Sequence, residues 1–172
     1  MVFQLTMQTR ALALPHGPLL LVRPLRGGDV ETVDAVFRRL GESSRHARFN
    51  GPKPCLSPAE LEQLARVDTS HHALVGHVEG DPKPAAIARL VRTGRDSAEL
   101  AFAVADRYQH LGIGSTLARE LLADARAAGI TQVTALARAD NRAALALMRR
   151  SATVLDLRLE GPEVAITAVL TQ

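Results

Sequence analysis

Two stretches carry residue types that could do chemistry. The first is Gln109-His110-Leu111-Gly112-Ile113-Gly114-Ser115, which follows the apolar run Leu100–Val104 and leads into helix-forming sequence from Thr116 to about Ala128. A strand, a short polar link and a glycine turn that opens a helix would aim several backbone N–H groups, and the positive end of a helix dipole, at one spot. Such a spot suits a phosphate or pyrophosphate. The second is Glu99, a carboxylate that interrupts an otherwise apolar strand, Ala98 to Val104. It reads either as an ordinary carboxylate paired with a nearby arginine or as a partly buried general base, its pKa raised toward neutrality by burial.

Other candidates fall away on spacing. Two glycines suffice for a tight strand-to-helix turn. A dinucleotide fingerprint would need a third glycine and an acidic residue ending the next strand, and a phosphate-binding P-loop would need Gly-Lys-Ser/Thr. His71, His72 and His77 invite a metal reading, but neighbours on a strand point to opposite faces and no cysteine or carboxylate cluster completes a set, so no metal is expected. Cys55, the single cysteine, lies in a polar, proline-flanked loop and excludes an internal disulfide. Arg45 and Arg48 either line an acceptor groove or form solvated ion pairs.

Composition bounds the partners. The chain has 172 residues, a formal net charge of +3 and 47% apolar residues, with Arg far outnumbering Lys. That is enough for one domain with a real core. Charges of both signs alternate and no basic run carries interleaved aromatics, so no nucleic-acid partner is expected. No apolar stretch approaches the ~18 residues of a membrane helix, and the N-terminus does not read as a signal peptide. No membrane partner is expected, and cytoplasm is the default.

The elements that must position these residues can be read in order. Residues 1–11 are an uncertain lead-in to one domain, 1–172. Leu12–Leu14 and Leu19–Leu25 read as strands around Pro15-His16-Gly17-Pro18. Asp29 caps a helix through Val33, Phe37 and Leu40. A short helix or turn covers Ser43–Arg48. Ser57-Pro58-Ala59-Glu60 starts a helix with a capping box. His72–Val78, Ala85–Val91 and Ser97–Val104 form an antiparallel meander. After the glycine turn and its helix come a strand, Thr131–Ala137, and a helix capped by Asp140 from about Asn141 to Arg150. Strands Val154–Leu159 and Val164–Leu170 close the chain. The fold class is α+β, or mixed α/β: one mixed, mostly antiparallel sheet with helices on both faces.

In this context Gln-x-x-Gly-x-Gly, entered from a meander and followed by helix, strand and an Asn-led helix, resembles the GNAT superfamily of acyl-CoA-dependent N-acyltransferases. The resemblance spans about Val22 to Leu170. It implies that acetyl-CoA is the cosubstrate. Its pyrophosphate would lie on Gln109, His110, Gly112, Ile113, Gly114 and Ser115. Its pantetheine arm would pair with the backbone of Phe102, Ala103 and Val104 beside a splayed strand. Asn141, with Ala144 three positions on, matches the family's Asn near the CoA arm. Val22-Arg23-Pro24-Leu25, Phe37–Leu40, Glu42–Phe49, Leu56–Asp68 and Ala98–Ala101 resemble the catalytic domain of bacterial protein-lysine acetyltransferases. That likeness implies Glu99 as the base and, as acceptor, a protein lysine such as that of an acyl-CoA synthetase. One departure stands out. The family's tyrosine acid falls at Met148 and its Gly-Phe at Ala152-Thr153, so the CoA thiolate would leave unassisted or with water. A small amine as acceptor (polyamine, amino acid or antibiotic) and a non-catalytic acyl-CoA sensor are the alternatives.

Overall fold

The computed structural model describes residues 8–15, 17–151 and 154–170. His16, Ala152, Thr153 and most of the lead-in lie outside them. Strands β1 (Arg10–Ala13) and β2 (Leu19–Pro24) come first, then helices α1 (Val30–Arg38), α2 (Glu42–Phe49) and α3 (Pro58–Leu64). The meander follows as β3 (His71–Val78), β4 (Ala86–Arg92) and β5 (Ser97–Val104). A single 3-10 turn, Asp106–Tyr108, leads into α4 (Ile113–Ala127), β6 (Gln132–Arg138), α5 (Arg142–Ser151), β7 (Val154–Glu160) and β8 (Glu163–Val169).

These eight strands form one sheet in the order β1-β2-β3-β4-β5-β6-β8-β7. Every neighbouring pair is antiparallel except β5 with β6. That exception follows from connectivity: α4 is a crossover long enough to return the chain in the same direction. The result is the expected mixed, mostly antiparallel sheet.

Local chemistry explains the helix starts. The Asp29 carboxylate accepts from the Thr32 N–H at 3.0 Å, and Ser57 and Glu60 complete the capping box. Asn141, rather than the expected Asp140, caps α5: its Oδ1 accepts the Ala144 N–H at 3.1 Å. Asp140 is drawn off by Arg138, at 2.8 and 3.0 Å. Boundaries elsewhere shift by a residue or two, and α4 starts three residues earlier than expected, directly after Gly112.

Two apolar layers flank the sheet. On one side α4 and α5 pack over Leu20, Leu74, Leu90, Leu100 and Val133. On the other, α1 and α3 cover Leu25, Ala73, Val75 and Ile87. Alternation along β5 divides its side chains between these layers: Ala98, Leu100, Phe102 and Val104 join the α4 layer, while Ala103 joins the α1 layer. Glu99 and Ala101 share the face of Ala103.

Candidate active site

Beta strands β5 and β6 are paired only over Ser97–Gln132, Ala98–Val133 and Glu99–Thr134. Beyond that they part, although β5 stays paired with β4 to Val104 and β6 with β8 to Arg138. A wedge therefore opens in the middle of the sheet, and Glu99 stands at its vertex.

Register decides which backbone groups face the wedge. The Ala105 N–H donates to Ala85 O at 2.8 Å, and the Thr93 N–H to Ser97 O at 3.0 Å. In an antiparallel ladder these bonds recur at every second residue. Ala101 and Ala103 thus spend their backbone groups on β4, and Phe102 and Val104 turn theirs toward the gap. This narrows the expected Phe102–Val104 segment. Ala103 offers no backbone group to the wedge, and its side chain lines a cavity on the α1 side.

At the far end of β5 the glycine turn is built for an anion. His110 has φ +64° and Gly112 φ +89°, both left-handed. That backbone curls successive N–H groups inward. Gly112 is required here. Besides its φ, an added Cβ would lie 2.8 Å from Pro15 Cδ. No side chain caps α4, and no acidic residue stands in its first turn. The N–H groups of Ile113, Gly114 and Ser115 precede the first intrahelical bond, Thr116 N–H to Gly112 O at 2.9 Å. The Ile113 side chain is buried, so only its backbone can serve. A Cβ on Gly114 would make ordinary contact with Val104 Cγ2 at 3.8 Å and Leu147 Cδ2 at 4.0 Å. The protein's own packing does not demand that glycine.

The Gln109 side chain ties this turn to its surroundings. Its Nε2 donates to Val104 O at 3.2 Å, Ser44 Oγ at 3.0 Å and Asp106 Oδ1 at 3.3 Å. The Tyr108 hydroxyl donates to Asp81 Oδ2 at 2.7 Å, beside Arg39 at 2.5 Å. These bonds hold the Asp81 carboxyl well below the usual carboxylate range. Asn141 sits where β6 hands over to α5. Its Oδ1 is spent on the cap, which leaves the amide NH2 as the group able to donate elsewhere. Met148 is buried in the α4 layer.

Glu99 is exposed, not partly buried as expected. Its electrostatic partner is Arg48 of α2. Arg48 forms no solvated ion pair: no acidic side chain lies within 4 Å of it among the described residues. Arg45 stacks on Phe37 and donates to Pro54 O at 3.0 Å. Arg89, in β4, belongs to the same region but was not singled out from sequence. The signal was there, a charge inside the apolar run Ala86–Val91, of the same kind that marks Glu99.

On this face α2 is the helix that reaches across the wedge. His46 meets Arg138 of β6 at 3.2 Å. Beyond it the β6 surface is open, with Leu136 45% exposed. His71 turns to Asp68 and His72 to Asp124, each at 2.8 Å. Among the described residues no group of three or more His, Cys, Asp or Glu is placed to hold a metal ion. No helix in them is long and apolar enough to cross a membrane.

A splayed mixed sheet with an uncapped, glycine-led helix at the end of the splayed strand suits a ligand that lays an arm along the strand and a phosphate on the helix start. Residues 38–152 match the family described as acetyltransferase (GNAT) family. The chain belongs to that family, and it is an acetyltransferase of GNAT type. It is 36% identical over 136 residues to acetyltransferase PA5475 of Pseudomonas aeruginosa, covering 76% of this chain and 73% of that protein. It is 35% identical over 142 residues to acetyltransferase Pat of Mycolicibacterium smegmatis, covering 80% of this chain but only 42% of that longer protein. Among solved structures, the GNAT domain of S. lividans PAT superposes with a TM-score of 0.85 at 24% identity, over 94% of this chain and 97% of that one. GNAT acetyltransferases use acetyl-CoA, and the relative from Thermoplasma acidophilum named PaiA N-acetyltransferase was solved with coenzyme A.

Proposed function

We propose that this chain transfers the acetyl group of acetyl-CoA to the side-chain amine of a protein lysine, an acyl-CoA synthetase being the first candidate, with Glu99 as general base. The carrying observation is the position of Glu99 at the vertex of the wedge, on the face opposite α4. The turn from Gln109 through Ser115 would hold the pyrophosphate on backbone N–H groups. Phe102 and Val104 would pair with the pantetheine arm, and the Asn141 amide would lie along it. The single domain 1–172 contains all of these parts.

The chemistry needs little more. A lysine ammonium must lose a proton before its nitrogen can attack. Glu99 takes that proton, directly or through one water. The amine nitrogen bonds to the acetyl carbon and gives its second proton to water, the C–S bond breaks, and a backbone N–H near Val104 holds the carbonyl oxygen while charge develops on it. Met148 has no proton to give, so the thiolate leaves as such and takes its proton from water. A thiol pKa of about 8.5 permits this near neutral pH.

A protein acceptor is supported by the open surface past α2 and by the likeness of residues 22–68 to protein-lysine acetyltransferases. A closed pocket would have favoured a small amine. The test is mass spectrometry of an acyl-CoA synthetase incubated with this protein and acetyl-CoA, with a small-amine panel alongside. One acetylated lysine is the expected result. Transfer to small amines alone would overturn the protein acceptor.

A further inference from the structure

The face that carries Glu99 also holds two guanidinium groups with no carboxylate in ion-pair contact, Glu99 acting on Arg48 only from beyond that distance. Arg48 comes from the last turn of α2. Arg89 stands opposite Ala101 in the β4–β5 register and so shares the face of Glu99. Both line one small cavity of about 30 Å³, walled by Phe37, Phe49, Ile87 and Ala103. Arg89 is only 7% exposed. One of its Nη groups donates to Gln63 O at 3.2 Å. Its Nε is buried without a partner. Arg48 lies against the Phe49 ring at 5.0 Å. Among the described residues, neither arginine has an acidic side chain within 4 Å.

Two like charges side by side in an apolar wall are costly to keep. Burial and the neighbouring Arg48 push the Arg89 guanidinium down to about 10, and burial lowers Arg48 against the pull of Glu99. Both remain cations at neutral pH. A planar fork with a spare N–H matches the two oxygens of a carboxylate. The cavity has room for a group of a few atoms, which suits a carboxylate better than a phosphate.

We propose that Arg48 and Arg89 form a carboxylate subsite on the acceptor side of Glu99, so that the preferred acceptor is an amine that also carries a carboxylate. This rests on the acetyltransferase reading above. The carboxylate has two sources: an acidic side chain near the target lysine, or the carboxylate of a free amino acid.

The test has a binding arm and a turnover arm, both with the whole chain. With CoA saturating, acetate is titrated while the arginine Nε–H signals are followed by NMR, with chloride at matched ionic strength as control. A saturable shift of the Arg89 signal is expected, lost in Arg48→Gln and weakened in the charge-keeping Arg48→Lys. A linear shift equal to that with chloride would overturn the subsite. In the turnover arm, lysine peptides with a neighbouring Glu are compared with their Gln forms, and amino acids with their amides. The carboxylate form should win by about tenfold or more in kcat/KM in one of the two series, which identifies the source, and Arg89→Gln should bring that ratio near one. Equal rates in both series would overturn the subsite and leave the acetyltransferase reading standing. A saturable acetate shift without acetyl transfer to any acceptor would overturn that reading and leave the subsite.

Discussion

Glu99 and Thr134 face each other in the last parallel pair before β5 and β6 part. One residue further along, the two strands no longer share hydrogen bonds. The carboxylate is thus fixed by a full sheet on one side and opens on a gap on the other. Loops could place a carboxylate near such a gap, but a strand fixes it more rigidly.

Gly112 should be the most sensitive position of the turn. Gly112→Ala places a side chain at φ +89° and 2.8 Å from Pro15, a strain of about 1–3 kcal/mol. We expect KM for acetyl-CoA to rise about tenfold, with kcat at saturation within about threefold of wild type. Steady-state kinetics of CoA release, with Tm beside them, checks this. A kcat loss at unchanged KM would contradict it.

The Gln109 amide fastens the turn to Val104 O and to Ser44 of α2. Gln109→Ala removes both ties at once, at about 1 kcal/mol per bond. Weaker CoA binding by calorimetry, about three- to tenfold, is the expected outcome, with the fold intact by circular dichroism. Gln109→Glu should be worse than Ala, because its acceptor-only carboxylate would face Val104 O and the Asp106 carboxylate.

Tyr108 is the only tyrosine, yet its hydroxyl is engaged with Asp81 and not with the wedge. Tyr108→Phe should therefore cost about 1–2 kcal/mol of stability and leave kcat within about twofold. A large kcat loss with an altered alkaline pH profile would instead make it the acid for the thiolate.

Asp81 sets an acid limit. Bonds from Tyr108, Arg39 and the Lys83 N–H hold its folded pKa below the ordinary 3.8. A depressed carboxylate contributes stability above its unfolded pKa and loses it as pH falls through the folded one. Asp81→Asn should thus be less stable than wild type at pH 7 by an amount that stays constant down to about pH 5 and shrinks below about pH 4. Urea melts across pH 3–7 read this directly. A gap that widens in acid would contradict it.

Much of this was legible in the residues. The turn chemistry of Asp29, Ser57-Pro58 and Gly112 marked element starts, and the apolar runs marked the strands. The parallel step followed from a helix too long for a hairpin. What sequence concealed was set by neighbours far along the chain. Asp140 looked like a cap until Arg138 took it. Glu99 looked partly buried because its strand is apolar, but its neighbours Ala98 and Leu100 face α4 while Glu99 faces the other side and is exposed. Ala103 looked part of the cofactor strand, yet ladder parity commits its backbone to Ile87. Arg89 escaped notice because its companion Arg48 lies on another element.

The most direct measurement is a comparison of wild type with Glu99→Gln, in acetyl-CoA affinity by calorimetry and in acetyl transfer by mass spectrometry. If Glu99 is the base, affinity should stay within about twofold while kcat falls about 10²- to 10⁴-fold, with the alkaline dependence of rate altered. Wild-type turnover in Glu99→Gln would contradict the account and remove Glu99 from the mechanism.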